Sequence, residues 1–179
     1  MDDVREVPTK TPARWQDELY DLLRDHNVTQ FAYVPDAAHR VLIARASADP
    51  QVRAVALTTE EEGVALLAGT DLGGARGVLL MQSSGTGNCI NMLSLIKGGR
   101  FPFLAFVSMR GDFGEGNPWQ FPMGQAVEPV LQAMGGICLR VVHPEEVVPT
   151  ARAALTMAFQ GGHAVAVLLT QKLIGAKAF

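Results

Sequence analysis

The amino-acid sequence predicts an α/β fold: one three-layer domain in which a six-stranded, mainly parallel sheet is flanked by helices. Two observations carry this. Six short apolar runs alternate along the chain with longer segments of helical period, the pattern of successive strand–helix units. The runs at 77–81 and 164–169 are almost continuously apolar, as strands covered on both faces must be. A chain of 179 residues, 48% hydrophobic and 18% charged, has the size and composition of a single domain with a full core. The domain is expected to span 1–179, with residues 1–11, polar and charged, as a loose N-terminal arm.

Taken in order, residues 15–26 read as a helix with Leu19, Leu22 and Leu23 on one face. A strand at 30–34 is stopped by Pro35-Asp36, and a helix at 38–48 by Asp49-Pro50. The strand 52–57 runs into a helix that begins near Glu60 and ends at Gly73-Gly74. After the strand 77–81 comes a Gly-rich turn and a helix over 88–97, closed by Gly98-Gly99. The strand 103–107 leads into a long Gly- and Pro-rich loop, 110–121. A helix at 127–134, a strand at 136–142, a helix at 144–159 opened by Pro144, and the strand 164–169 complete the series.

The charge pattern excludes several functions. The net charge is −3 and the basic residues are scattered, so no nucleic-acid partner is expected. No apolar run has the length of a membrane span, and the N-terminus lacks the apolar core of a signal peptide, so a cytoplasmic protein is expected. Cys89 and Cys138 lack metal-ligand spacing and read as buried, reduced thiols. His39 and His143 are isolated, and no metal ligands are expected.

In a parallel sheet the ligand edge lies beyond the carboxyl ends of the strands. That edge should carry Pro35-Asp36, 58–61, 82–87 and 108–111. Glu60, Glu61 and Glu62 stand there at a helix start. Thr59 with Glu62, or Thr58 with Glu61, fits a capping box, and the helix dipole favours carboxylates at this end. Glu62 is assigned to the cap, Glu60 to solvent, and Glu61 to a proton relay with a bound ring nitrogen. Ala65, Ala68 and Gly69 are small enough for this helix to approach another backbone. The turn Ser83-Ser84-Gly85-Thr86-Gly87-Asn88 offers backbone N–H groups to a polar ligand, or simply turns the chain tightly. It is neither a P-loop nor a nucleophile elbow. Arg110 either receives an anion or pairs with Asp112 or Glu115.

Val34-Pro35-Asp36, Glu61 with Gly63, Ala65 and Ala68, and Ser84-Gly85-Thr86-Gly87 with Asn91 together resemble the pyrimidine-binding domain of thiamine diphosphate enzymes. Within that group the chain is most similar to the alpha subunits of sulfopyruvate decarboxylase and its relative phosphonopyruvate decarboxylase. Thr86 stands where the wider family usually has Pro. Arg110-Gly111 with Pro118, Gln120, Pro122, Met123 and Gly124 is similar to the loop of the sulfopyruvate group. The resemblance covers 15–169.

The resemblance implies a 2-oxo acid decarboxylase subunit, acting on sulfopyruvate or another small anionic 2-oxo acid. Glu61 would be catalytic, bonded to N1′ of the aminopyrimidine. Pro35, Gly85, Thr86, Asn88 and Asn91 would hold the cofactor. Gln82, Ser83, Ser84, Arg110 and Gln120 would face the substrate. The Gly-Asp-Gly…Asn segment that holds Mg2+ and the diphosphate is missing, so a beta subunit should supply both. The alpha chain should also pair with itself, giving at least α2β2. A phosphonopyruvate decarboxylase or carboligase subunit, or a non-catalytic binding module on the same fold, are the alternative readings.

Overall fold

The structure is a computed structural model, and it describes residues 14–176. The expected N-terminal arm, 1–11, lies outside the described residues. In chain order the elements are α1 (Trp15–Asp25), β1 (Val28–Tyr33), α2 (Arg40–Ala48), β2 (Arg53–Ala56), α3 (Glu60–Leu72), β3 (Arg76–Gln82), α4 (Ser83–Cys89) and α5 (Leu93–Gly99). There follow β4 (Phe103–Ser108), a 3-10 turn (Pro118–Gln120), α6 (Phe121–Ala133), β5 (Ile137–Val141), α7 (Pro144–Phe159), β6 (Ala164–Leu169) and α8 (Gln171–Ile174).

The six strands form one sheet in the order β2-β1-β3-β4-β6-β5, and every pairing is parallel. The sheet is thus wholly, not mainly, parallel. Leu19, Leu23, Leu42, Val147 and Leu155 of α1, α2 and α7 fill one face of the sheet. Val64, Leu67, Leu93, Val127 and Leu131 of α3, α5 and α6 fill the other. β4 is buried over its whole length, which accounts for its unbroken apolar sequence. The chain leaves β1 for one neighbour and β3 for the other, so a crevice opens at the carboxyl ends of β1 and β3.

Three elements differ from the sequence expectation. The helix expected over 88–97 begins at Ser83 and breaks at 90–92 into α4 and α5. The stretch Ser-Ser-Gly-Thr-Gly has poor intrinsic helicity, yet it coils because α4 is clamped between α3 and α6. A Cβ on Gly87 would sit 3.1 Å from the Met123 Sδ of α6. The loop expected over 110–121 gives way to α6 six residues earlier than expected, with Pro122 in its first turn. α8 was not expected at all. It is held by Gln171, whose Oε1 accepts the amides of Asp112 and Phe113 at 3.1 Å each and whose Nε2 donates to Glu115 at 2.9 Å.

Candidate active site

β2 ends at Ala56, and Thr58-Thr59 carry the chain over the sheet edge into α3. The three carboxylates of the first turn lie at successive angles of about 100° and therefore face different surroundings. Glu62 reaches back, and its Oε2 accepts the Thr58 amide at 2.8 Å. It is the cap, as expected, although the Thr59 side chain returns no bond. Glu61 is exposed.

Glu60 is only 7% exposed, which overturns its assignment to solvent. Its side chain lies against the N-terminal turn of α4. Asn88 Nδ2 donates to Glu60 Oε2 at 2.8 Å, and a Cβ on Gly85 would collide with the Glu60 carboxylate. Gly85 therefore provides the space in which the carboxylate rests on backbone. No second hydrogen bond reaches Glu60 among the described residues, so Oε1 keeps its acceptor capacity. Cys89 lies beneath. Burial, reinforced by the charges of Glu60 and Glu61, pushes its thiol up to about 12, so it stays protonated.

Beside this pocket, Asp36 ties three strand ends together. Its carboxylate accepts Ser108 Oγ at 2.7 Å, the Ala38 amide at 3.1 Å and Gln82 Nε2 at 3.3 Å. Burial alone would raise its pKa. The Ser108, Gln82 and Ala38 hydrogen bonds and the nearness of His39 outweigh it, and hold Asp36 below the usual carboxylate range. An ionised carboxylate only accepts, so the Gln82 amide must turn its NH2 to Asp36 and its oxygen to the Ser84 hydroxyl, which donates at 3.0 Å. His39 is fully buried below Asp36, and burial lowers its pKa. Its Nε2 donates to the Met81 carbonyl at 3.2 Å.

Set against known proteins, the chain is 32% identical over 152 residues to the sulfopyruvate decarboxylase subunit alpha of Methanococcus maripaludis, covering 84% of this chain and 91% of that one. It is 33% identical to the subunit of the same name from Methanocaldococcus jannaschii, over 84% of this chain and 89% of that one. The chain belongs to the sulfopyruvate decarboxylase alpha-subunit family.

No family model matches the chain. Among solved structures it is similar to the 2-oxoglutarate:ferredoxin oxidoreductase from Magnetococcus marinus, solved with 2-oxoglutarate, coenzyme A and succinyl-CoA bound. The TM-score is 0.74 over 90% of this chain and 29% of that one, at 17% identity, a likeness of fold.

The remaining expected residues of this family member separate into two groups. Pro35, Gln82, Ser84, Gly85 and Asn88 lie together at the strand ends, around Asp36 and Glu60. Ser83 is fully buried, and its hydroxyl accepts the Arg110 amide at 3.1 Å, joining β3 to the exit of β4. Thr86 is also fully buried, its hydroxyl without a hydrogen-bond partner among the described residues. Asn91 is exposed at the α4–α5 break, where its carbonyl accepts the Ser94 amide. Asn88, one turn earlier, is the asparagine that reaches Glu60.

Arg110 takes the ion-pair alternative. Its guanidinium forks onto Glu115, Nε at 2.5 Å and Nη2 at 2.7 Å, with the Glu115 side chain wholly covered. Arg110 so placed, with the Asn117 amide and Gln171, holds the Glu115 carboxyl down to about 2. Gln120 closes the loop: its backbone carbonyl packs on Gly111, which has φ +75°, while its buried side-chain oxygen lacks a hydrogen-bond partner among the described residues. On α3, Gly63 fits beneath Leu79 and Leu57 and Ala68 is buried, but Ala65 and Gly69 face outward. Val64 and Leu67 fill this chain's own core, whereas Leu95 is 40% exposed.

Sequence reasoning placed Asp36 and Glu60 on the strand-end edge but gave Asp36 no role and turned Glu60 to solvent. Glu60 could have been found from its position as first residue after the strand-to-helix turn, where a side chain folds back over the sheet edge. Among the described residues no three His, Cys, Asp or Glu side chains group to hold a metal ion, and no helix is long and apolar enough to cross a membrane.

Proposed function

We propose that this chain is the pyrimidine-binding half of a thiamine diphosphate-dependent decarboxylase, converting sulfopyruvate to sulfoacetaldehyde and carbon dioxide with a beta subunit. The observation that carries the reading is the Glu60 carboxylate, buried at the sheet edge against Gly85 with one oxygen on Asn88 and one in reserve. Such a group fits an aminopyrimidine: a covered carboxylate with one acceptor site left can share a proton with a ring nitrogen. When bound, the cofactor supplies the carbanion equivalent and the electron sink for loss of carbon dioxide.

The chain's own residues then have distinct tasks. Glu60, rather than the exposed Glu61, holds the proton at the ring nitrogen. Asn88 fixes the rotamer of Glu60 and leaves Oε1 toward the ligand. The Gly85 backbone gives the carboxylate its seat, and Thr86 offers a buried hydroxyl beside it. Asp36, through Gln82 and Ser84, fixes hydrogen-bond polarity across the strand ends. Arg110, paired with Glu115, is a loop anchor, so the substrate's distal anion falls to groups of the partner chain. Mg2+ and the diphosphate would likewise be held by the beta subunit, at an interface that covers Glu60 further.

The test is Glu60→Gln against Glu61→Gln, each assayed with the beta subunit on sulfopyruvate, phosphonopyruvate and pyruvate. Proton-transfer groups contribute about 10²–10⁴-fold. Glu60→Gln should fall within that range of loss, and Glu61→Gln should stay within a few-fold of the parent. The reverse order would return the role to Glu61.

A further inference from the structure

At the opposite edge of the sheet from Glu60, a cavity of about 240 Å³ opens between α5, α6 and the starts of β4 and β6. Its walls are apolar, built from Leu93, Ile96, Phe103 and Leu131. Its rim is not. Lys97, Arg100 and His163 line it, and no Asp or Glu does. None of these three side chains has a hydrogen bond or an ion pair among the described residues, whereas Arg24, Arg45, Arg110 and Arg140 are each paired with a carboxylate.

Lys97 reaches across to the α6–β5 turn, its ammonium 3.3 Å from where a Cβ of Gly135 would stand, and Gly135 has φ +86°. Arg100 holds a left-handed backbone at φ 56°, uncommon for a residue other than glycine. A cavity of ~150 Å³ already admits a benzene ring, so this one takes a larger apolar body.

We propose that this cavity binds a small organic monoanion, its acid group among Lys97, Arg100 and His163 and a short apolar body within the walls. The site is separate from the glutamate pocket by the length of a strand, roughly 17–20 Å. It is nonetheless mechanically continuous with it. β4 runs from Phe103 in the cavity wall to Ser108 on Asp36, and α5 follows α4, which carries Gly85 and Asn88.

The probes are hexanoate, hexane-1-sulfonate, hexan-1-ol and acetate, titrated calorimetrically into the full chain. Each buried methylene should tighten binding roughly fourfold, and a pair of exposed cations should add about fivefold, weakened by salt. The two six-carbon anions should therefore bind more tightly than either the alcohol or acetate. The double variant Lys97→Gln/Arg100→Gln, at exposed positions, should bring hexanoate to the level of hexanol. Ala164→Phe should fill the cavity and abolish both, while Glu60→Gln should leave hexanoate binding unchanged. Equal binding of hexanol and hexanoate, an unaffected double variant, loss of binding in Glu60→Gln, or no binding up to millimolar probe would each overturn the proposal.

Discussion

Gly85→Ala tests the architecture of the site through a single methyl group. A Cβ at this position would overlap Cγ, Cδ and Oε1 of Glu60. The Glu60 side chain has to leave its seat, since the opposing atoms belong to a helix start clamped on both sides. Moving it breaks the charge-assisted bond from Asn88, worth roughly 1.5–3 kcal/mol. Against that stands the helix propensity gained by replacing glycine, about 1 kcal/mol. The net change in stability is therefore a loss of only ~0.5–2 kcal/mol, and the variant should fold. Activity is affected far more, because a carboxylate displaced by even ~1 Å loses about 10²-fold. The assay is decarboxylation with the beta subunit, alongside urea denaturation of the alpha chain. Gly69→Ala is the stability control: its added methyl meets nothing within 4 Å in this chain, and it should gain ~0.5–1 kcal/mol. If Gly85→Ala kept its activity within a few-fold, the Glu60–Gly85 contact would not orient a carboxylate on which the proposed activity depends.

Glu115 provides a pH prediction. Its carboxyl is depressed from 4.5 to about 2 by Arg110, the Asn117 amide and Gln171. A depressed carboxylate stabilises the folded state fully above its unfolded pKa, and that contribution is lost as pH falls from 4.5 toward 2. Thermal denaturation across this window should show a decline that is shallower in Glu115→Gln, with the variant less stable than the parent at neutral pH by ~1.5–3 kcal/mol; coincident profiles would contradict the pairing. Cys89 and Cys138 have thiols raised to about 12 and about 11, first by burial. Cys89 is buried, whereas Cys138, expected buried, is only half-buried. Cys89 should not react with iodoacetamide at pH 8 until the chain is denatured, Cys138 should react only slowly, and rapid labelling of Cys89 in the native protein would contradict its burial.

How legible was this site? Strand-and-helix alternation is a local signal, and it located all six strands to within about two residues and α7 without error. It failed at α4 and α6. There the helix is held by neighbours, Gly87 against Met123 and Gly124 against the Arg110 carbonyl, which propensity cannot register. The glutamate triplet shows the same division. That carboxylates cluster at a strand-to-helix turn is plain in the sequence. Which one turns inward depends on the angle at which α3 leaves the sheet, a difference of about 100° per residue. Arg110 illustrates a choice the sequence left open, and the fold decided it by burying Glu115 within reach.

The amino-acid sequence by itself determined the parallel α/β architecture, the ligand edge at the strand ends, the cap at Glu62 and the membership implied by its Gly turn and glutamate helix. These depend on local periodicity and on residue types at short spacing. Only the tertiary structure decided that Glu60 and not Glu61 is buried on Gly85, that Asp36 joins β1, β3 and β4, and that Gln171 pins the 110–120 loop. Each of those contacts joins residues 25 or more apart in the chain, brought together by the strand order, and burial converts their proximity into a defined protonation state or a fixed rotamer.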